Sequence, residues 1–144
     1  MHKSLLLSFT LLLGYTCSFA QENDKKLIKS FLKDLYEKET ISDAFFDNYF
    51  TQGIDSVKKD KIISNLANLK STIVQTIDKE KLSSLEVKSS SVKSENPNSN
   101  TKPFTIPLNT DYSLGFWVGD NKIKTILWLK PSDFSTTIYY NVTD

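Results

Sequence analysis

The chain has 144 residues, with 18 basic against 17 acidic side chains, and every basic one is lysine. Near-neutral charge without arginine argues against a nucleic-acid interface or a bidentate phosphate clamp, which lean on a basic excess and on the guanidinium fork. A single cysteine excludes an internal disulfide, so one hydrophobic core must stabilise a chain of this length unaided.

Residues 1–20 read as a secretory leader. Lys3 supplies the positive start, Leu5 to Leu13 the apolar run, and Ser18-Phe19-Ala20 a small-x-small cleavage site. The run is too short to anchor stably in a bilayer. Cleavage after Ala20 leaves 21–144 as a single domain in which lysines and acids are equal in number, 17 each. Cys17 opens a competing fate as a lipidated residue. The lipobox pattern wants leucine three places before the cysteine and a small residue just before it, where Gly14 and Thr16 stand. The expectation is a periplasmic or secreted protein, off the membrane unless lipidated at Cys17.

Asn23 or Asp24 is placed to cap a first helix reaching about Lys38, with an apolar stripe of Leu27, Ile28, Phe31, Leu32, Leu35 and Tyr36. Thr40-Ile41-Ser42-Asp43 fits a capping box opening a short second helix that turns Phe45, Phe46, Tyr49 and Phe50 inward. Asp55 or Ser56 caps a third, running to about Ile77, with Ile62, Ile63, Leu66, Ala67, Leu69, Ile73, Val74 and Ile77 as its apolar side. The lysines at 58, 59 and 61 read as a solvated face.

From Ser83 the period changes to two, giving a strand through Leu85 and Val87 to about Lys93, then a loop from Glu95 to Thr101. Lys102 to Leu108 forms the return, with Pro103 and Pro107 restricting it to an edge or cutting it short. Asp120-Asn121 then serves as a two-residue hairpin turn. Unbroken pairing from that turn sets Trp117 against Lys124, Phe116 against Thr125 and Leu114 against Leu127. It gathers Tyr112, Leu114, Phe116, Val118, Ile123, Thr125, Leu127 and Leu129 on the core face. Trp117 and Trp128 then share the reverse face, flanking Gly115 and Ile126. A last strand places Phe134, Thr136, Ile138, Tyr140 and Val142 on one face. The whole is α+β: three N-terminal helices packed on one face of a curved antiparallel sheet of about five strands.

The opening helix LIKSFLKDLY, the aromatic AFFDNYF and the hairpin GDNKIKTILWL together resemble the nuclear transport factor 2-like group, the cystatin-like cone fold, over roughly Asp24 to Val142. Small exported bacterial proteins often have this look. The chain departs from the pattern in carrying Asn121 where that hairpin often has glycine, and in having no strand between the second and third helices. The resemblance implies a pocket between sheet and helices, lined here by Tyr36, Phe46, Tyr49, Phe116 and Leu127. Members of that group that are isomerases or hydratases place Asp, Tyr or His in such a pocket.

Once His2 and Cys17 leave with the leader, no histidine or cysteine remains for nucleophilic triads, for zinc through those ligands or for haem. The acids are not spaced as a calcium loop, so neither metal nor cofactor is expected. Asp47, set between Phe46 and Tyr49, is the sole acid in an aromatic cluster; burial there would suit a general base, whereas an outward turn would leave it a surface charge. Three functions follow. The first is a non-enzymatic exported domain binding a small ligand or protein partner, in the pocket or on the Trp117/Trp128 face, since indole joins large apolar area to one donor. The second is an isomerase- or hydratase-type enzyme using Asp47. The third is an immunity or inhibitor protein acting in the periplasm.

Overall fold

The computed structural model describes residues 3–90, 100–130, 132–133 and 135–141. Four helices come first: α1 (Lys3–Glu37), α2 (Asp43–Tyr49), α3 (Ser56–Thr76) and the single turn α4 (Lys79–Leu82). Five strands follow: β1 (Lys88–Ser89), β2 (Lys102–Pro107), β3 (Ser113–Gly119), β4 (Lys122–Lys130) and β5 (Ser135–Asn141). They form one open antiparallel sheet in sequence order, so the class is α+β with the helices in the N-terminal half. Strand positions anticipated for Ser91 to Lys93, most of the loop from Glu95, Pro131, Phe134 and Val142 lie outside the described residues.

Helix ends follow local capping chemistry. Ser42 caps α2 by accepting from Phe45 N, a role the capping-box reading gave to Thr40. Asp55 caps α3 by accepting from Lys58 N at 2.9 Å. Asn23 and Asp24 cap nothing, because α1 continues upstream of them. Lysines meet the carbonyl-rich C-terminal ends, where cations are favoured. Lys122 Nζ donates to the Asp47 and Asn48 carbonyls, and Lys70 Nζ donates to the Lys38 carbonyl.

The core sits between helices and sheet. Ile28, Phe31, Leu32 and Leu35 of α1 meet Phe45, Phe46, Tyr49 and Phe50, while α3 turns in Ile62, Leu66, Leu69 and Ile73. That α3 stripe is narrower than the sequence suggests, since Ala67 and Val74 face water. Lys59 also departs from the solvated-face reading. Its ammonium lies 2.7 Å from Asp43 and 5.1 Å from the Phe46 ring centre, tying α3 to α2.

The sheet supplies Phe104, Ile106, Leu114, Phe116, Val118, Ile123, Ile126, Trp128 and Tyr140 to the same core. Asp120 and Asn121 form the tip with φ of 53° and 56°, as a primed hairpin turn demands. Gly119–Lys122 and Val118–Ile123 pair as the turn dictates, but Trp117 then lies opposite Thr125, so Lys124 is the extra residue of a bulge. Past it, Phe116 faces Ile126, Gly115 faces Leu127 and Leu114 faces Trp128. Everything in β4 beyond the bulge is thereby turned over relative to the unbroken register: Ile126 and Trp128 point in, Leu127 and Leu129 point out. A second bulge, at Tyr139 in β5, likewise sends Ile138 outward while Tyr140 goes in.

β2 is not an edge strand, yet both prolines fit. Ser90 N donates to the Pro103 carbonyl at 2.9 Å, so the Pro103 backbone polar atoms point toward β1 and not toward β3. Pro107, four residues on, points the same way, beyond the reach of the two-residue β1. Neither proline therefore removes a donor from the β2–β3 ladder.

Candidate functional site

Of the five pocket residues read from the sequence, four lie on the helix side of the sheet and one does not. Phe46, Tyr49 and Phe116 are buried in the core, and Tyr36 is half-buried with its hydroxyl 3.5 Å from the Ile77 carbonyl. Leu127 is on the opposite face, a correction forced by the Lys124 bulge. The rings pack on one another. Phe31 is central, with Phe45, Tyr49, Phe50 and Phe116 at centroid distances of 5.9, 5.5, 5.7 and 6.0 Å. Phe46 meets Phe50 at 5.0 Å, and Phe50 meets Tyr140 at 4.4 Å. Tilted and edge-on contacts of this kind are how aromatic side chains fill a core.

Two hydroxyls enter this cluster under different terms. Tyr49 donates to Asp34 Oδ2 at 2.7 Å, and Lys38 Nζ lies 3.4 Å from the same oxygen. The chain Lys38–Asp34–Tyr49 joins α1 to α2. Burial, reinforced by the hydrogen bond to Asp34 and by its negative charge, pushes the Tyr49 phenol well above its ordinary value. Tyr140 is buried too, with Thr51 its polar neighbour, but among the described residues no group meets full hydrogen-bond geometry with its hydroxyl. Burial pushes its pKa up to about 12, an effect that neighbouring Thr51 opposes only in part. Thr51 itself accepts from Lys124 Nζ at 3.0 Å, which fastens the bulge residue to the segment after α2.

Asp47 is exposed on α2, although its neighbours Phe46 and Tyr49 are buried. Short helices show one face to water, and Asp47 is on it. The desolvation that a general-base role would need is therefore missing. Among the described residues, no three His, Cys, Asp or Glu side chains come together as a metal site.

Trp117 and Trp128 are on opposite faces, contrary to the unbroken register. Trp128 is 9 % exposed and belongs to the core, with Tyr112 at 5.3 Å from ring to ring. Trp117 is half-buried on the outer face, where Leu127, Leu129 and Ile138 also lie. None of these four belongs to the core or packs against it. Gly115 makes the floor between them: a Cβ placed there would come within 3.2 Å of Leu129 Cδ1 and 3.6 Å of Leu127 Cβ. The outer face is thus an apolar strip of one indole and three aliphatic chains, with Ile138 57 % exposed.

A polar cleft of about 210 Å³ opens where α1 passes the hairpin tip, lined by Ala20, Asn23, Asp24, Lys102 and Asp120 among others. Asp24 is buried there and pairs with Lys102 Nζ at 3.4 Å. Sequence reasoning offered Asp24 only as a helix cap. Its actual partner is 78 residues away, and no local signal announces it.

No protein-family model matches the chain, and no curated protein or solved structure is significantly similar to it, so the candidate surfaces rest on the geometry alone.

Proposed function

We propose that this chain is an exported, non-enzymatic α+β domain that binds a protein partner or small ligand on the outer face of its sheet, around Trp117. The observation that carries the reading is the strip of Trp117, Leu127, Leu129 and Ile138, which lies outside the core. Apolar side chains grouped on one face of a folded domain mark a surface made to be covered. An indole within such a strip adds a donor for orienting what binds. In the aromatic cluster, by contrast, the rings pack on one another. The α+β order that motivated the cone-fold resemblance frames the reading, but its pocket does not enter it.

Export is supported by where the fold takes hold of α1. Phe19 to Asn23 are exposed, burial begins at Asp24, and Ile28 is the first core residue among those whose side chains are described. Cleavage after Ala20 would therefore remove no described part of the core. No helix of the described residues is long and apolar enough to cross a membrane. A lipid anchor at Cys17 is the alternative fate, and Cys17→Ser with unchanged release speaks against it.

The test is capture from the native cell envelope with wild-type protein and with Trp117→Ser/Leu127→Ser as baits. The reading predicts a discrete partner or co-purifying small molecule that the double variant loses while keeping its fold. Identical capture by both baits contradicts it.

A further inference from the structure

We infer that the protein pairs with a second copy of itself by joining the two β5 strands edge to edge. β5 is the last strand of the open sheet, so one side of its backbone has no ladder among the described residues. Ser135, Thr136, Thr137 and Ile138 are all exposed, although successive residues point to opposite faces. Among the described residues, this half of the strand is therefore exposed on both faces and paired along one edge only. Natural sheets blunt such an edge with lysine, proline, short length or a covering element. The far edge of this sheet is blunted in those ways: β1 has two residues, one of them Lys88, and both β2 prolines face it. β5 has seven residues without proline or charge, and its single bulge lies at Tyr139, beyond the bare run.

The edge also indicates what occupies it. Unpaired N–H and C=O groups in a row are satisfied by another extended backbone. A two-fold axis brings each side chain close to the same run of the other copy, so any charge would repel itself. The run Ser-Thr-Thr-Ile carries none, and threonines across an antiparallel pair hydrogen-bond favourably. A two-fold axis at Thr137 sets Thr137 beside the partner's Thr137 and Thr136 opposite the partner's Ile138, each pair on one face of the joined sheet. The contact is isologous and the other edge is blunted, so assembly closes at two copies. The surface is the strand edge and not the Trp117 strip, so the inference stands or falls separately from the proposed function.

The test is the molar mass of the full chain by light scattering after size exclusion, over a dilution series, with Thr137→Lys and Thr137→Glu beside wild type. Wild type is expected to run as a dimer that dissociates on dilution. Each variant alone should halve in mass with unchanged circular dichroism, and mixing the two should restore the dimer through opposite charges. A wild type that is monomeric throughout, that assembles beyond two copies, or whose variants stay dimeric overturns the inference. So does a mixture of the variants that stays monomeric. Should either variant fail to fold, amide exchange of wild type decides: protection in 135–138 that grows with concentration supports pairing, and protection independent of concentration refutes it.

Discussion

Phe116 on β3 stands directly opposite Ile126 on β4, and both side chains are sealed from water. Counting back from the Asp120-Asn121 turn without interruption, Phe116 would face Thr125. The extra residue, Lys124, is what brings Ile126 inward, and Trp128 follows it two places on. The same insertion sends Leu127 outward to join Trp117. One bulge therefore determines both the composition of the core and the surface proposed to bind.

Phe31 has no exposed surface and meets four other rings, two from α2, one from the residue that caps it and one from β3. Truncation leaves a cavity that neighbouring rings, already in contact, cannot all close. Phe31→Ala should cost about 3–5 kcal/mol in urea unfolding. A loss below about 1 kcal/mol would show that the cluster collapses around the gap.

Among the described residues the buried Tyr140 hydroxyl meets no partner in full hydrogen-bond geometry, whereas its ring packs against Phe50 at 4.4 Å. Tyr140→Phe keeps the ring and removes the orphan group, so stability should hold or rise by about 1 kcal/mol. The phenol's folded pKa, pushed by burial from 10.0 to about 12, exceeds the unfolded value. The neutral phenol thus favours the folded state fully below pH 10.0 and loses that contribution as pH climbs toward about 12. Wild type should weaken across this alkaline window and Tyr140→Phe should weaken less, with a remainder from Tyr49, whose pKa burial also raises. Equal alkaline profiles would contradict the assignment.

The hairpin glycines differ in what a side chain would strike. At Gly119 a Cβ lies 3.0 Å from the backbone oxygen of Asn100, which cannot swing aside. At Gly115 the nearest atom is the tip of Leu129 at 3.2 Å, which can. Gly119→Ala should cost about 1–3 kcal/mol and Gly115→Ala less than about 1 kcal/mol, compared by thermal unfolding. The reverse order would place the tight approach at Gly115 and not at Gly119.

Much of this architecture was legible because it is local. Asp55 lies where a cap belongs, α1 buries the stripe its periodicity marks, and Asp120-Asn121 can take positive φ. The bulges were not legible. Ile126-Leu127-Trp128-Leu129 is apolar at every position, so it offers a hydrophobic face in either register and alternation cannot choose. What chooses is long-range: Lys124 reaching Thr51, and Ile126 meeting Tyr140 once Tyr139 bulges in turn. α4 escaped because four residues carry no period. Asp47 looked enclosed by sequence proximity to aromatics, but proximity along a helix does not fix which side a residue takes.

The most direct test is the fluorescence of two single-tryptophan proteins, Trp117→Phe and Trp128→Phe. With Trp128 as sole indole, emission should be blue-shifted and poorly quenched by acrylamide. With Trp117 as sole indole, emission should be red-shifted and readily quenched. Equal quenching of the two, or the opposite order, would return both indoles to a common face and contradict the bulge at Lys124.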